Sequence, residues 1–497
     1  MKRYILLSVF AGLSLASVTS CTDLEVKEID SIKRVSTGSG YTPGNATQLL
    51  ESAYKSLSTF NGQDNIYALG EHTTAEMIPP TRGVDWGDNG VWRTLDQHTW
   101  DATHSWNQNA WNGLHSNVFK CNEILAASPS TLQAAEAKFI RALFMYYAMD
   151  FWGQVPFRQV TEGVNDNPKV LTRSEAFDFI VKDLTEALPA LPSFGPAGTT
   201  GKASKAAANF LLAKLYLNKA VYKGAPALSY TFDNADMAKV VSYVDAITAD
   251  GFTFDSDYFN IFSKNSQSEI IMKVDEGDAS TRYYMTLHYG QDPSGWNGFA
   301  TLGDFYNTFD ASDARRGKAP KLDGTKYAGI GWGFLKGPQF NANGTPLIDE
   351  RSKKQLDFSA DVKLAGALTH EGIRVIKWHP TDAGKMILFR YSEAALMKAE
   401  ALVRSGKAAD ALTLVNAMRA SHGATALGSI TVDGIFKEWG NEMYWEGMKR
   451  TVEVRHGKFT SGTGVLDSKK SDVNTLLYPI PASAVVSNPN LKQNPGY

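Results

Sequence analysis

The chain has 497 residues, of which 43% are hydrophobic and 21% charged, and 50 basic against 52 acidic side chains leave a formal charge of −2. At about 150 residues per domain this is enough apolar chain for two to four units' worth of core, which excludes disorder, collagen and coiled coil. Near-neutral charge with no long block of either sign excludes a nucleic-acid surface or a polybasic membrane patch, so no nucleic-acid partner is expected.

Lys2 and Arg3 precede an apolar run, Tyr4–Ala16, and the small residues Ser17, Thr19 and Ser20 lead to Cys21. That order describes a secretory signal over residues 1–20. The run is shorter than the roughly 20 residues a membrane helix needs. Val18-Thr19-Ser20-Cys21 resembles a bacterial lipobox, which makes Cys21 the lipidated first residue of the mature chain. A Ser/Thr/Gly-rich stretch then reads as a flexible tether over 21–44. Cys121 is the other cysteine, so no intramolecular disulfide is expected. In the helical run Asn117–Leu125 it reads as a buried small hydrophobe.

A loop from Thr81 to Trp106 sets Trp86, Trp92, Trp100 and Trp106 among Gly, Asp and Asn. Trp100, Trp106 and Trp111 precede or enter a helix and are expected in the core. Apolar residues at three- and four-residue steps then predict helices over Ala134–Trp152, Arg173–Leu188, Ser204–Tyr222 and Ala235–Ala249, and later over Tyr391–Ser405 and Ala408–Ser421. Ala399, Leu402, Gly406, Ala411 and Val415 have the spacing of a tetratricopeptide pair. Ala213, Tyr216 and Ala220 with Ala238, and Ala142 and Met145 with Ala176 and Ile180, give looser copies. Between them, residues 256–384 lose the period and are rich in Gly and aromatics, as binding loops on a rigid scaffold are. Glu438, Glu442 and Glu446 share a helical spacing and read as a solvated or salt-bridged face near Lys437, Lys449 and Arg450 rather than a metal site. Residues 478–497, full of Pro and Asn-Pro steps, read as an extended strap and not a helix.

These residues carry a resemblance to a known family. Arg390-Tyr-Ser-Glu-Ala-Ala-Leu-Met-Lys-Ala-Glu-Ala401, Ala411–Arg419, Leu477-Tyr-Pro-Ile-Pro481 and Asn488–Tyr497 are similar to the signatures of the SusD/RagB lipoproteins of Bacteroidetes. Ala137–Phe144 with Gly153-Gln-Val-Pro-Phe157 fits the N-terminal signature. One motif departs: Lys449 stands for an Arg, and Val452 where Asp is usual. The resemblance implies a mainly α fold, a tetratricopeptide-like scaffold (about 45–255 and 385–460) with a loop-rich insert (about 256–384) and a strap (461–497). It further implies a lipid-anchored protein at the outer-membrane surface that captures glycan, does no chemistry, and delivers its ligand to a SusC-like TonB-dependent transporter. The RagB side of the family implies a peptide ligand as the alternative. No cofactor and no metal are expected.

Sugar rings lay C–H patches on aromatic faces and need short polar side chains at their hydroxyls. Trp86 with Asp85 and Arg82, in a run similar to a glycan-platform loop of one branch of the family, is the first candidate. Trp296 in Pro293–Gly298 is the second, and Arg374 is a polar candidate on an expected strand. Tyr283, Tyr284, Trp332 and Trp378 are further options. No His-Glu-x-x-His, Gly-x-Ser-x-Gly or phosphate loop nominates an enzyme.

Overall fold

The computed structural model describes residues 36–37, 40–41, 44–162, 166–198, 201–464 and 469–497. The expected signal, Cys21 and most of the tether lie outside the described residues. The main helices are α1 (Ala46–Lys55), α2 (Ser105–Ala126), α3 (Thr131–Trp152), α4 (Arg173–Ala187), α5 (Lys205–Leu217), α6 (Asn234–Ala249), α7 (Tyr391–Arg404), α8 (Ala408–Ser421), α9 (Val432–Met443) and α10 (Lys449–Arg455). α2 packs on α3 and α3 on α4; α5 packs on α6, α6 on α7, and α7 on α8 and α9. The fold is mainly α, as expected.

Local chemistry sets these boundaries. α3 begins three residues before the apolar period does, because Ser130 and Gln133 form a reciprocal capping box. The expected helix over Ser204–Tyr222 is broken at Asn218, which leaves helical geometry, returns its side-chain amide to the Lys214 carbonyl at 2.8 Å and accepts from Arg455 at 2.8 Å. In α5, Ala206, Ala207, Ala208 and Ala213 are buried, and their small side chains let neighbouring helices approach closely. Ala399, Leu402, Ala411 and Val415 are buried at the α7–α8 contact, and Gly406 turns between those helices at φ +76°. Ala238 does not pack: it is exposed, and α6 meets the core through Met237, Val240 and Val244. Cys121 is fully buried, and burial pushes its thiol up to about 12.

One hydrophobic core extends from Leu49 to Leu491. The insert is pinned to it where Ile270–Lys273 pairs antiparallel with Ile387–Arg390. Further out, Gly317–Lys318, Trp332–Leu335 and Arg374–Ile376 form a three-stranded antiparallel sheet over a smaller core of Leu287, Ile330, Leu335, Leu356, Phe358 and Ile376. The strap includes a six-residue helix, Ala482–Ser487, where an extended chain was expected; Pro481 immediately before it has a φ suited to a helix start. Otherwise the strap lies over the N-terminal helices. Tyr478 donates to the Leu69 carbonyl at 2.6 Å, Asn494 to the Trp152 carbonyl at 3.0 Å, and Trp100 donates to the Tyr497 hydroxyl at 2.8 Å.

The acidic row is not a solvated face. Glu438, Glu442 and Glu446 are nearly or fully buried, and α9 stops at Met443, so Glu446 lies beyond it. Lys449 and Arg450 turn instead to Glu76 and Asp150. Five cations (Arg315, Lys377, Arg390, Arg419 and His422) meet five carboxylates (Asp313, Glu269, Glu438, Glu442 and Glu446) in one buried network. Arg390 alone reaches Glu269 at 2.7 Å, Glu442 at 2.7 Å and Glu446 at 2.8 Å. Such charges persist in a core only when mutually paired. Glu269, His422 and Glu442 bring potential ligand atoms within 4.8 Å of one another, but Arg315 and Arg390 already supply the positive charge there.

Candidate functional site

The two tryptophan loops meet on one face of the insert. Gly83, at φ +68°, and the paired Arg82 and Asp85 backbones make a tight turn whose tip, Val84, is 94% exposed. Trp86 follows at φ +62°, a left-handed conformation uncommon for a bulky residue. Its indole packs at 4.8 Å on Phe299 and 5.9 Å on Trp92 and donates to the Trp296 carbonyl at 2.9 Å. A Cβ at Gly298 would lie 2.5 Å from this ring, so only glycine leaves it room.

Trp296 is 42% exposed. Its loop folds back on the short helix Thr281–Tyr284, with the Trp296 amide donating to the Tyr284 carbonyl at 2.7 Å and the Asn297 amide to the Leu287 carbonyl at 2.7 Å. The indole therefore stacks on Tyr284 with centroids 5.7 Å apart and planes 23° apart, and Tyr283 lies 4.6 Å further along. The result is an aromatic platform braced by the loop's own backbone and by ring-on-ring contacts.

Beside it, Asp85 accepts from the Tyr289 hydroxyl at 2.6 Å and from Arg351 at 2.7 Å. The Tyr289 hydrogen bond, seconded by Arg351, holds the Asp85 carboxyl below its usual range, so it is ionised at neutral pH. Arg351 is half-exposed and was not singled out from sequence. Its signal is weak there, because it is one Arg in a charged turn 266 residues from its partner.

Arg82 and Arg374 sit underneath. Both are 0% exposed. Arg82 donates to the carbonyls of Leu368 and Glu371, and burial lowers its pKa to about 10. Arg374 lies on the expected strand but makes no salt bridge among the described residues. It donates to the carbonyls of Thr369 at 2.8 Å, Glu371 at 2.8 Å and Gly372 at 2.5 Å and to the Asn297 side chain at 2.7 Å. Direct contact was expected of both, but neither guanidinium is exposed on this face: Arg82 fastens the 364–374 loop, and Arg374 fastens that loop and the Trp296 loop beneath the platform. Trp378, 2% exposed, belongs to the core, as do Trp100 and Trp111; Trp106 is half-buried against Trp92. Trp332 is partly exposed in a separate place.

Two family models match the chain. One, described as the SusD family, covers residues 268–497, and one described as "Starch-binding associating with outer membrane" covers residues 33–217. The starch-binding protein SusD of Bacteroides thetaiotaomicron is 27% identical, over 73% of each chain. Among solved structures, a SusD superfamily protein of Parabacteroides distasonis superposes with a TM-score of 0.69 at 20% identity, covering 91% of this chain and 98% of that one. A laminarin-binding SusD-like protein does so with a TM-score of 0.67 at 19% identity, covering 91% and 99%. No helix among the described residues is long and apolar enough to cross a membrane.

Proposed function

Since the chain belongs to the SusD-like family, we propose that its Trp86–Trp296 face binds a glycan and that it acts as a surface-anchored capture protein rather than an enzyme. The observation that carries this reading is Trp296: an exposed indole, backed by Tyr284 and tied through its carbonyl to Trp86. A pyranose lays its C–H face on such a ring, while Asp85 and Arg351 sit at the edge to accept from and donate to hydroxyls. Because the rings are preordered, little side-chain entropy is lost on binding. The platform is open, which suits a long chain sliding across it more than an enclosed monosaccharide. Relatives named for starch and laminarin binding support a glycan ligand over the peptide alternative.

The finer role is also ours: Cys21 carries lipid, the body stands at the outer-membrane surface, and bound glycan passes to a SusC-like TonB-dependent transporter. Calorimetry and affinity electrophoresis of the purified chain against neutral polysaccharides and a peptide mixture test the binding. Trp296→Ala is expected to weaken glycan binding about tenfold, the loss of about 1.5 kcal/mol of stacking. Peptide binding without glycan binding overturns the reading. Copurification with the transporter, lost when Cys21→Ala frees the chain from the membrane, tests the delivery role.

A further inference from the structure

A second aromatic pocket lies in the insert, lined by none of the platform residues. It has a volume of about 380 Å³ between Arg316–Pro320, Gly329–Trp332 and Leu335–Phe340, within the roughly 300–1,000 Å³ of small-molecule sites. Its walls are backbone held close by glycine: Gly317 pairs across the sheet with Gly333, at φ +71°, and a Cβ on Gly329 would lie 2.4 Å from the Phe340 carbonyl oxygen.

Two features set its chemistry. Trp332, partly exposed, lines the pocket with one indole face backed by His379 at 4.0 Å and 19°. Burial keeps His379 neutral, with a pKa of about 4, and its Nε2 lies 3.1 Å from the Ile330 carbonyl. The ring is thus a fixed, uncharged platform. Opposite it, Tyr306 carries Arg316 at 4.1 Å and Lys336 at 4.9 Å from its centroid. Neither cation has a carboxylate within salt-bridge distance among the described residues, and the Arg316 Nε is buried without a hydrogen-bond partner. The pocket's own acid, Asp313, is committed to Arg315 at 2.7 Å, and Lys318 is paired with Asp257. What remains is an aromatic face beside two uncompensated positive charges.

We propose that this pocket binds an acidic sugar residue, a hexuronate whose ring rests on Trp332 and whose carboxylate meets Arg316 and Lys336. A planar guanidinium suits a carboxylate, giving short charge-assisted hydrogen bonds that a neutral sugar cannot make. The proposal goes beyond the neutral platform and makes the protein a two-site binder, reading charge at one place and ring faces at the other.

The test is calorimetry of the intact chain with oligogalacturonate, its methyl ester, and a sulfated oligosaccharide of equal length. Oligogalacturonate should bind more tightly than the ester and less tightly as salt rises. Arg316→Gln, and separately the exposed Lys336→Met, should each weaken it about ten- to a hundredfold, the worth of a charge-assisted contact. Trp86→Ala and Trp296→Ala should leave it unchanged. Equal binding of acid and ester, retention of affinity in both charge variants, or preference for the sulfated probe overturns the proposal. Loss in the platform variants alone also overturns it, whereas a parent chain that binds oligogalacturonate but no neutral glycan refutes only the platform reading.

Discussion

Replacing His422 with Gln tests whether the buried charge network depends on an imidazolium. Burial alone would keep this ring neutral, but Glu442 at 3.1 Å, helped by Glu269 at 3.4 Å, carries its pKa up to about 9. The same interaction holds Glu269 down at about 2 against its own burial. An unfolded histidine titrates near about 6.5, so the folded chain holds this proton more tightly by roughly 3 kcal/mol. Because the folded value is the higher, that stability is complete below about pH 6.5 and is lost as pH rises through about 9. Gln has no such proton and leaves the network one positive charge short, so at pH 6 the variant should be about 3 kcal/mol less stable than the parent. By pH 10 the two should converge. Urea unfolding followed by tryptophan fluorescence at pH 6, 8 and 10 measures the gap without the screening that guanidinium salt would add. A gap that stays constant across this range would refute the reasoning.

The platform makes further demands. Gly298→Ala should drive the Trp86 ring from its seat, since the new Cβ would lie 2.5 Å from it; about tenfold weaker glycan binding by calorimetry, with about 1–3 kcal/mol lost in urea unfolding, is the expected result. Arg374→Met should leave the Gly372 carbonyl and the Asn297 side-chain oxygen without this donor, and leave the Thr369 and Glu371 carbonyls with only Asn297 and Arg82. The expected cost is about 2–4 kcal/mol, with platform affinity falling in parallel although the residue touches no ligand.

Much of the scaffold was legible because helices announce themselves locally. α8 spans the residues its period predicts, and α7 ends one residue early. What periodicity misses is chemistry at the ends: the Ser130 box that starts α3, the Asn218 side chain that breaks a continuous apolar run, the short helix after Pro481. The charged residues were harder. An Arg in a glycine-rich loop reads as exposed, yet Arg82 is buried because distant loop carbonyls, unspecified by any local pattern, turn inward to meet it; Arg374 is buried on its strand by carbonyls of the turn just before it and by the distant Asn297 side chain. Glu442 misled for the same reason: its partners Arg315 and Arg390 lie far away in sequence on elements that meet only in the fold. Trp86 and Trp296 could be nominated by composition. That the indole of one is fastened to the backbone of the other, 210 residues on, could not.

The strap also governs when this protein can become folded. Trp100 and Tyr497 are separated by 397 residues, and Tyr478 reaches Leu69 across 409. Contacts of that span form late, because a long loop must close before they return any free energy. As the chain is synthesised from its N-terminus, its early helices therefore emerge with one side uncovered. The groove that the strap fills stays open until almost all of the sequence has followed. Until then the tryptophans beneath it are open to solvent or to a chaperone, and the strap closes over them as the final step.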